Sequence, residues 1–217
     1  MAAAEQPWVD WEWVDGHRPL ILDLLQDHLE LTALAVLFGL AISFPVALAA
    51  RRWRGLYPPV LTAAGMIYAI PSLALFTMLL PWTGLSRTTA LIGLTGYTLL
   101  ILVRTIVVGL DGVPDDVREA ATAMGYRAPR RLLAVELPLA LPAIVAGVRI
   151  ATVTTIGLVT VAALIGHGGL GQLILDGLNR QFRTPLVVGS VLSVAAAAAA
   201  DVALLGLQRL LTPWAGR

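Results

Sequence analysis

Long apolar stretches without charges alternate with short polar segments along most of the chain. A helix that crosses a bilayer needs about 20 mostly apolar residues. Five segments satisfy this length with at most one charge each, and the predicted spans are 31–50, 60–80, 88–110, 137–166 and 184–208. A sixth span would require dividing residues 55–86 into two short helices, which the pattern favours less. The pattern therefore predicts an all-α integral membrane protein with about five transmembrane helices.

Composition excludes several classes of function. Charged residues make up 13% of the 217 residues, whereas soluble domains contain roughly 25%. The net charge of +1 gives no indication of a nucleic-acid partner. Cysteine is absent from the sequence, which excludes disulfides and thiol catalysis. Lysine is absent as well, so the sequence has no Walker A motif for ATP.

The distribution of arginine predicts how the chain is oriented in the membrane. Nine arginines lie in 51–54, 111–136 and the C-terminal tail, and only four lie in the segments predicted on the other side. The arginine-rich side is expected to be cytoplasmic, which places the N-terminus outside and the C-terminus inside. Residues 1–30 contain seven acids and one arginine, unlike the basic start of a signal peptide. Their tryptophans suit the headgroup zone: Trp8, Trp11 and Trp13.

The segment 111–136 is predicted to form two short helices. Pro114 suits the first position of a helix, and the acids that follow it suit the N-terminal turn. Gly125 suits the position just past the helix end, where a left-handed residue is favoured. A second short helix is expected to begin at Pro129 and to end before Pro138. The first helix has a small apolar face with Glu119 beside it: Val117, Ala120, Ala121 and Met124.

This segment resembles the EAA loop of ABC importer permeases, whose pattern is EAA-x3-G-x9-I-x-LP. The sequence matches every fixed position except one, where Val135 replaces isoleucine. In that family the loop forms a coupling helix that docks on the ATP-binding subunit. The resemblance implies that the following residues couple the chain to that subunit: Glu119, Ala120, Ala121, Met124, Gly125, Leu137 and Pro138.

Other segments resemble the osmoprotectant branch of these permeases, which imports glycine betaine, carnitine or choline. They are residues 28–32, 70–74, 146–149 and 165–171. The resemblance implies a type I importer permease like that of methionine importers, in the bacterial plasma (inner) membrane. Residues 1–30 would be an external or interfacial segment, and 31–217 the permease domain with its coupling loop at 111–137.

The expected partners are an ATP-binding subunit, an external substrate-binding protein, a second permease copy or paralogue, and membrane lipid. The chain itself is expected to bind no cofactor or metal, because ATP and magnesium belong to the partner subunit, and to be a transport subunit without enzymatic activity. Two alternatives stay open. The solute is another small molecule such as methionine or ergothioneine, or the protein is an ATP-independent channel or small membrane enzyme.

Ionisable residues within the predicted spans are candidates for the pathway. A charge at the bilayer centre costs roughly 2.5–3.5 kcal/mol on insertion scales. Asp201 is expected either to pair with an arginine or to line the pathway. Arg104 is close enough to a span end to reach the surface, and Arg149 could do the same if the membrane helix begins late, at Pro142; Arg149 is otherwise a candidate for the pathway. Pro71, Ser72, Gly168 and Gly169 are further candidates for the pathway or its gate.

Residues 166–171 formally match the dinucleotide motif G-x-G-x-x-G. A nucleotide site needs a preceding strand and an acid about 20 residues later, and neither is predicted here. We therefore expect a tight turn in which glycines allow close backbone packing. His28 is expected to cap or anchor the start of the first span.

Overall fold

The computed structural model describes residues 7–214, so Glu5 and Arg217 lie outside the described residues. Within that range the chain is helical and contains no strand, which confirms the all-α prediction. Three short segments have other helical geometry: 3₁₀ turns at Arg54–Leu56 and Ala162–Ile165, and a π-helical turn at Leu132–Glu136. The α-helices are α1 Trp11–Gly16, α2 Arg18–Arg52, α3 Tyr57–Ala69, α4 Ser72–Thr83, α5 Arg87–Asp111, α6 Asp115–Ala123, α7 Ala128–Arg131, α8 Leu137–Val161, α9 Gly171–Asn179 and α10 Arg183–Leu211.

Four helical segments of the described chain are long and apolar enough to cross a membrane: α2, α5, α10 and the continuous segment Ala128–Ile165 that contains α8. The expected single helix over 60–80 is wrong, because α3 and α4 meet at a bend of 97°. Together they make at most one further span, so the total is four or five.

The bend between α3 and α4 follows from Pro71. A proline lacks an N–H and disfavours helical geometry in the residue before it. Ile70 is accordingly extended, with ψ of 128°. The Tyr97 hydroxyl on α5 donates a hydrogen bond to the Ile70 carbonyl, which the break has left without a helical partner. Pro71 and Ser72 therefore lie at the start of α4, at a break that α5 stabilises.

A boundary between an N-terminal surface segment and the first span was expected at residue 30, but the helix shows no break there. Helix α2 is 35 residues long and runs without interruption across residues 30 and 31. At 1.5 Å per residue it is about 50 Å long, so it extends well beyond a hydrocarbon core of about 30 Å. The break in the helix comes earlier, at His17, just before Pro19 in the first turn of α2.

Helix α1 is attached to the start of α10. The backbone N–H of Asp10 donates to Thr184 Oγ1 at 2.9 Å. The Trp13 ring packs edge-on against Phe182, with 5.8 Å between centroids, and the Arg183 guanidinium lies over the Trp8 ring. These contacts give two of the three N-terminal tryptophans a protein partner, and their position in the headgroup zone stays a prediction.

Helix α5 lies at the centre of the bundle and packs against α2, α3, α4 and α8, whereas α10 packs mainly against α8 and α9. Small residues allow the closest contacts, as expected between membrane helices. A Cβ added at Gly39 would lie 1.8 Å from Thr98 Oγ1, and one at Gly147 would lie 2.1 Å from Thr105 Oγ1. The peripheral position of α10 leaves much of its surface exposed.

Candidate functional site

Helix α6 has a well-defined start and end. It begins directly after Pro114, one residue later than expected, and Asp115 and Asp116 occupy its first turn. At its end Gly125 has φ of +84°. The N–H groups of Gly125 and Tyr126 donate to the carbonyls of Thr122 and Ala121 at 2.9 and 3.1 Å, which are the two hydrogen bonds of a Schellman motif. The prediction that Gly125 ends this helix in left-handed geometry is confirmed.

The predicted apolar face of α6 is divided between two surfaces. Ala121 is buried and Val117 is half-buried, so this side packs against the rest of the protein. Glu119, Ala120 and Met124 are exposed on the other side. The EAA residues therefore do not form one common face: Ala121 holds the helix in place, and the exposed residues are available to a partner.

The second short helix was expected to end before Pro138, but the structure shows that it does not. Helix α7 continues through the π-helical turn Leu132–Glu136 into α8. The Leu137 N–H donates to the Leu132 carbonyl five residues back. A wider turn is a physical way to accommodate Pro138, which lacks an N–H and would crowd the carbonyl four residues before it. Leu137 and Pro138 thus join the predicted coupling segment directly to α8.

Glu136 is the centre of an ion cluster that the sequence analysis did not identify. Its side chain is only 2% exposed and accepts contacts from three guanidinium groups. Oε2 lies 2.6 Å from Arg51 Nη2 and 3.8 Å from Arg118 Nε, and Oε1 lies 2.8 Å from Arg131 Nε. One buried carboxylate therefore joins the ends of α2, α6 and α7 to the start of α8.

Further contacts extend this arrangement to α5. Asp111, at the end of α5, binds Arg51 Nε at 3.1 Å and Arg54 Nη1 at 2.9 Å. Arg118 also donates to the Leu110 carbonyl at 2.8 Å. We call Arg51, Asp111, Arg118, Arg131 and Glu136 the Glu136 cluster. It brings residues 51–54 and 111–136 to the same end of the bundle, in agreement with their predicted placement on one side of the membrane.

The sequence contained an indication of this cluster. Glu136 is the only acid between Glu119 and Asp176, and apolar residues flank it on both sides. An isolated acid in such a stretch is expected to find a basic partner if it is buried. Spacing alone could not reveal which arginines would meet it, because Arg51 is far away in sequence and reaches Glu136 only through the packing of α2.

A second pair of charges joins α8 to α10. Arg149 Nε and Nη2 each lie 2.9 Å from a carboxylate oxygen of Asp201. Gln208 Oε1 lies 3.4 Å from Arg149 Nη1. The expected pairing of Asp201 with an arginine is confirmed, and its possible role in the pathway stays a prediction.

The glycine-rich segment forms a tight turn with close backbone packing, as expected. A Cβ on Gly168 would lie 2.2 Å from the Ala163 nitrogen, and one on Gly169 would lie 2.5 Å from His28 Cβ. His28 does not cap the first span, because α2 begins ten residues earlier. Instead its buried ring places Nε2 3.1 Å from the Ile156 carbonyl and anchors α2 to α8. Gly168 is therefore packed against the 3₁₀ turn Ala162–Ile165, and Gly169 is packed against α2.

Sequence comparison decides the family. Residues 35–217 match the family described as "Binding-protein-dependent transport system inner membrane component". The chain belongs to this family. The osmoprotectant import permease protein OsmW of Salmonella typhimurium is 37% identical over 89% of this chain and 92% of its own length. The glycine betaine/carnitine/choline transport system permease protein OpuCB of Bacillus subtilis is 31% identical over 86% of both chains.

Solved structures show the same fold. A chain of the MetNI methionine ABC transporter, from a study of its inward-facing conformations, superposes with a TM-score of 0.76 at 24% identity, covering 89% of the permease and 98% of that chain. An amino acid ABC transporter gives 0.75 at 20% identity, covering 93% and 98%. The permease therefore has the predicted methionine-importer-like architecture. As a family member it is a multi-pass inner-membrane transport subunit of an ABC importer and not an enzyme.

Proposed function

We propose that this permease, together with a second permease subunit, forms the pathway for a small osmoprotectant such as glycine betaine, carnitine or choline. The similarity to OsmW and OpuCB over most of the chain supports this class of solute. An external binding protein delivers the solute, and ATP-binding subunits supply the energy. ATP and magnesium are bound by those subunits.

In this proposal the exposed side of α6 docks on an ATP-binding subunit. The observation that most supports it is the combination of an exposed EAA segment with a buried attachment beneath it. Glu119 and Met124 face outward, while Arg118 and Arg131 bind the buried Glu136. Force on α6 reaches α2, α5 and α8 through ion pairs and a continuous helical segment. Closure of the ATP-binding subunits would thereby move the spans.

The first experiment is purification of the complex followed by an ATPase assay in lipid, with and without candidate binding proteins. An associated ATPase that is stimulated by a binding protein loaded with glycine betaine supports the proposal. Stimulation by methionine or ergothioneine alone would retain the importer and contradict the solute. An intact, inserted permease with no associated ATPase would contradict coupling altogether.

Replacement of Glu119 tests the docking surface. We expect Glu119→Ala to abolish ATP-driven uptake while the protein stays in the membrane, because the change removes an exposed charge without touching the Glu136 cluster. Uptake is measured with radiolabelled glycine betaine in proteoliposomes. Glu12→Ala is the matched control, since Glu12 is also an exposed acid on a short helix and lies outside α6. Unchanged uptake in Glu119→Ala would contradict this docking surface.

A further inference from the structure

A groove between α8 and α10 contains the Arg149–Asp201 pair. Its volume of about 600 Å³ lies within the range of roughly 300–1,000 Å³ that is typical of small-molecule sites. Apart from the ion pair, its walls are largely aliphatic, with Ala146, Ile150, Val194 and Ala198 among them. Thr154 is the only other polar side chain among the described lining residues, so the Arg149–Asp201 ion pair lies on a largely apolar wall.

The depth of this pair sets it apart from a surface ion pair. Arg149 is twelve residues from either end of α8, which places it about 18 Å along the helix from both ends. The side chains of Arg149 and Asp201 remain 23% and 39% exposed. Charged groups at this depth face a water-filled cavity or protein, since hydrocarbon solvates them poorly. Arg104 differs, because it is seven residues from the end of α5 and its long side chain can reach the surface.

The geometry of the Arg149–Asp201 pair indicates which kind of ligand can insert between the two side chains. Both Arg149 nitrogens face the two Asp201 oxygens at 2.9 Å. A zwitterion that enters between them exchanges one ion pair for two, with its carboxylate on Arg149 and its cationic group on Asp201. A ligand with only one charge would pair with one of the two side chains and leave the other without its ionic partner, so it would gain less than a zwitterion does. The guanidinium fork also matches a carboxylate in a bidentate manner.

We propose that the groove opens onto the translocation pathway and that Arg149 and Asp201 form a subsite for a small zwitterionic solute. This inference rests on the proposed function and specifies the class of solute the permease itself recognises. The depth of the site distinguishes such a solute from zwitterionic lipid headgroups, which lie at the membrane surface.

Cysteine labelling tests the groove, and the permease chain gives no background of its own, because it contains no cysteine. Ile150→Cys places a thiol in the groove, and Leu37→Cys places one on α2 away from it; the native side chains are similarly exposed, at 55% and 61%. The complete complex in proteoliposomes is treated with N-ethylmaleimide. A thiolate forms in water far more readily than in hydrocarbon, so we expect Ile150→Cys to react about tenfold faster or more. Equally slow reaction at both positions would overturn the inference.

Protection from labelling tests the ligand. Glycine betaine is expected to slow the labelling of Ile150→Cys at lower concentration than choline, which lacks the carboxylate. Adding Arg149→Gln should abolish the advantage of glycine betaine over choline, whereas a purely structural pair would leave that ratio unchanged. Arg149→Lys is the second variant in case Arg149→Gln fails to assemble. It keeps the charge and loses the fork, so the protecting concentration of glycine betaine should rise while that of choline does not.

Uptake measured in the same vesicles separates this inference from the proposed function. Uptake of glycine betaine without any protection of the groove would overturn the subsite and leave the proposed function standing. Protection of the groove by glycine betaine without ATP-driven uptake would support the subsite and contradict the proposed function.

Discussion

The Glu136 cluster and the Arg149–Asp201 pair both join arginine to carboxylate, but they differ in burial and in connectivity. Glu136 is nearly inaccessible and meets three guanidinium groups from three other elements. Arg149 and Asp201 are both partly exposed and link only α8 to α10. The Glu136 cluster lies at the ends of its helices, whereas Arg149 lies halfway along α8.

This difference indicates two separate uses of charge. A buried carboxylate with several partners holds elements together, because the movement of any one helix cannot give all of its arginines new acidic partners. An open pair with one partner on each side can separate, provided that water or a ligand replaces the lost contact. The first arrangement suits a rigid connection between α6 and the spans, and the second suits a site that opens during transport.

Replacement of Glu136 should have the largest effect. Glu136→Gln removes the one carboxylate that Arg51, Arg118 and Arg131 share. The three guanidinium groups are then left close together, and among the described residues only Asp111 and Asp115 offset two of them. Breaking a buried ion pair in this way costs about 3–5 kcal/mol. We expect a loss of that order in the free energy of unfolding, measured in bicelles by titration with SDS and followed by tryptophan fluorescence. Asp115→Asn is the control, because Asp115 pairs with Arg118 at the exposed surface. Equal stability of Glu136→Gln and the control would contradict a holding role for the cluster.

Replacement of Gly125 tests how much backbone geometry, as distinct from the ion pairs, contributes to stability in the same region. Gly125 has φ of +84° and open space where a side chain would go, so Gly125→Ala introduces a conformational cost and no clash. That cost is about 1–2 kcal/mol for a residue with a Cβ in left-handed geometry. We expect a loss of stability of this size, together with reduced uptake, in the same titration and in the vesicle assay.

Gly16→Ala provides the control for Gly125→Ala. Gly16 also has open space around it, but its φ is not positive. Its replacement is therefore expected to leave stability unchanged or slightly higher, because alanine favours a helix more than glycine does. A similar loss in both variants would mean that the left-handed geometry of Gly125 contributes little.

The sequence predicted local features well where one residue type determines the geometry. Gly125 ends α6 because left-handed geometry favours glycine, and Gly168 and Gly169 pack where a side chain would collide. Pro114 and the acids that follow it likewise predicted the start of α6 to within one residue. Such features depend on residues close together in the chain, so their spacing is enough to predict them.

Features that depend on packing between distant helices were predicted less well. Pro71 and Pro138 are both prolines in apolar stretches, yet one breaks the chain into α3 and α4 while the other lies in a continuous helix. The difference arises from the π-helical turn before Pro138 and from Tyr97, which binds the carbonyl freed at Ile70. The contact between Arg51 and Glu136 was missed for the same reason, since it depends on how α2 packs.

The smallest effect is expected from the Arg149–Asp201 pair, and its size decides whether the groove contains water. A double-mutant cycle with Arg149→Gln and Asp201→Asn isolates the coupling energy between the two side chains. In a hydrated groove the coupling should be no larger than that of an exposed surface ion pair. Arg180–Asp176 provides the comparison, because this pair has an Nε–Oδ1 distance of 2.7 Å and exposed side chains.

Equal coupling in the two pairs, measured in bicelles, agrees with a water-filled groove from which a zwitterion can displace the contact. A coupling much larger for Arg149–Asp201 than for Arg180–Asp176 would instead place the Arg149–Asp201 pair in a dry environment. It would then resemble the Glu136 cluster, and the distinction between a holding group and an opening site would fail.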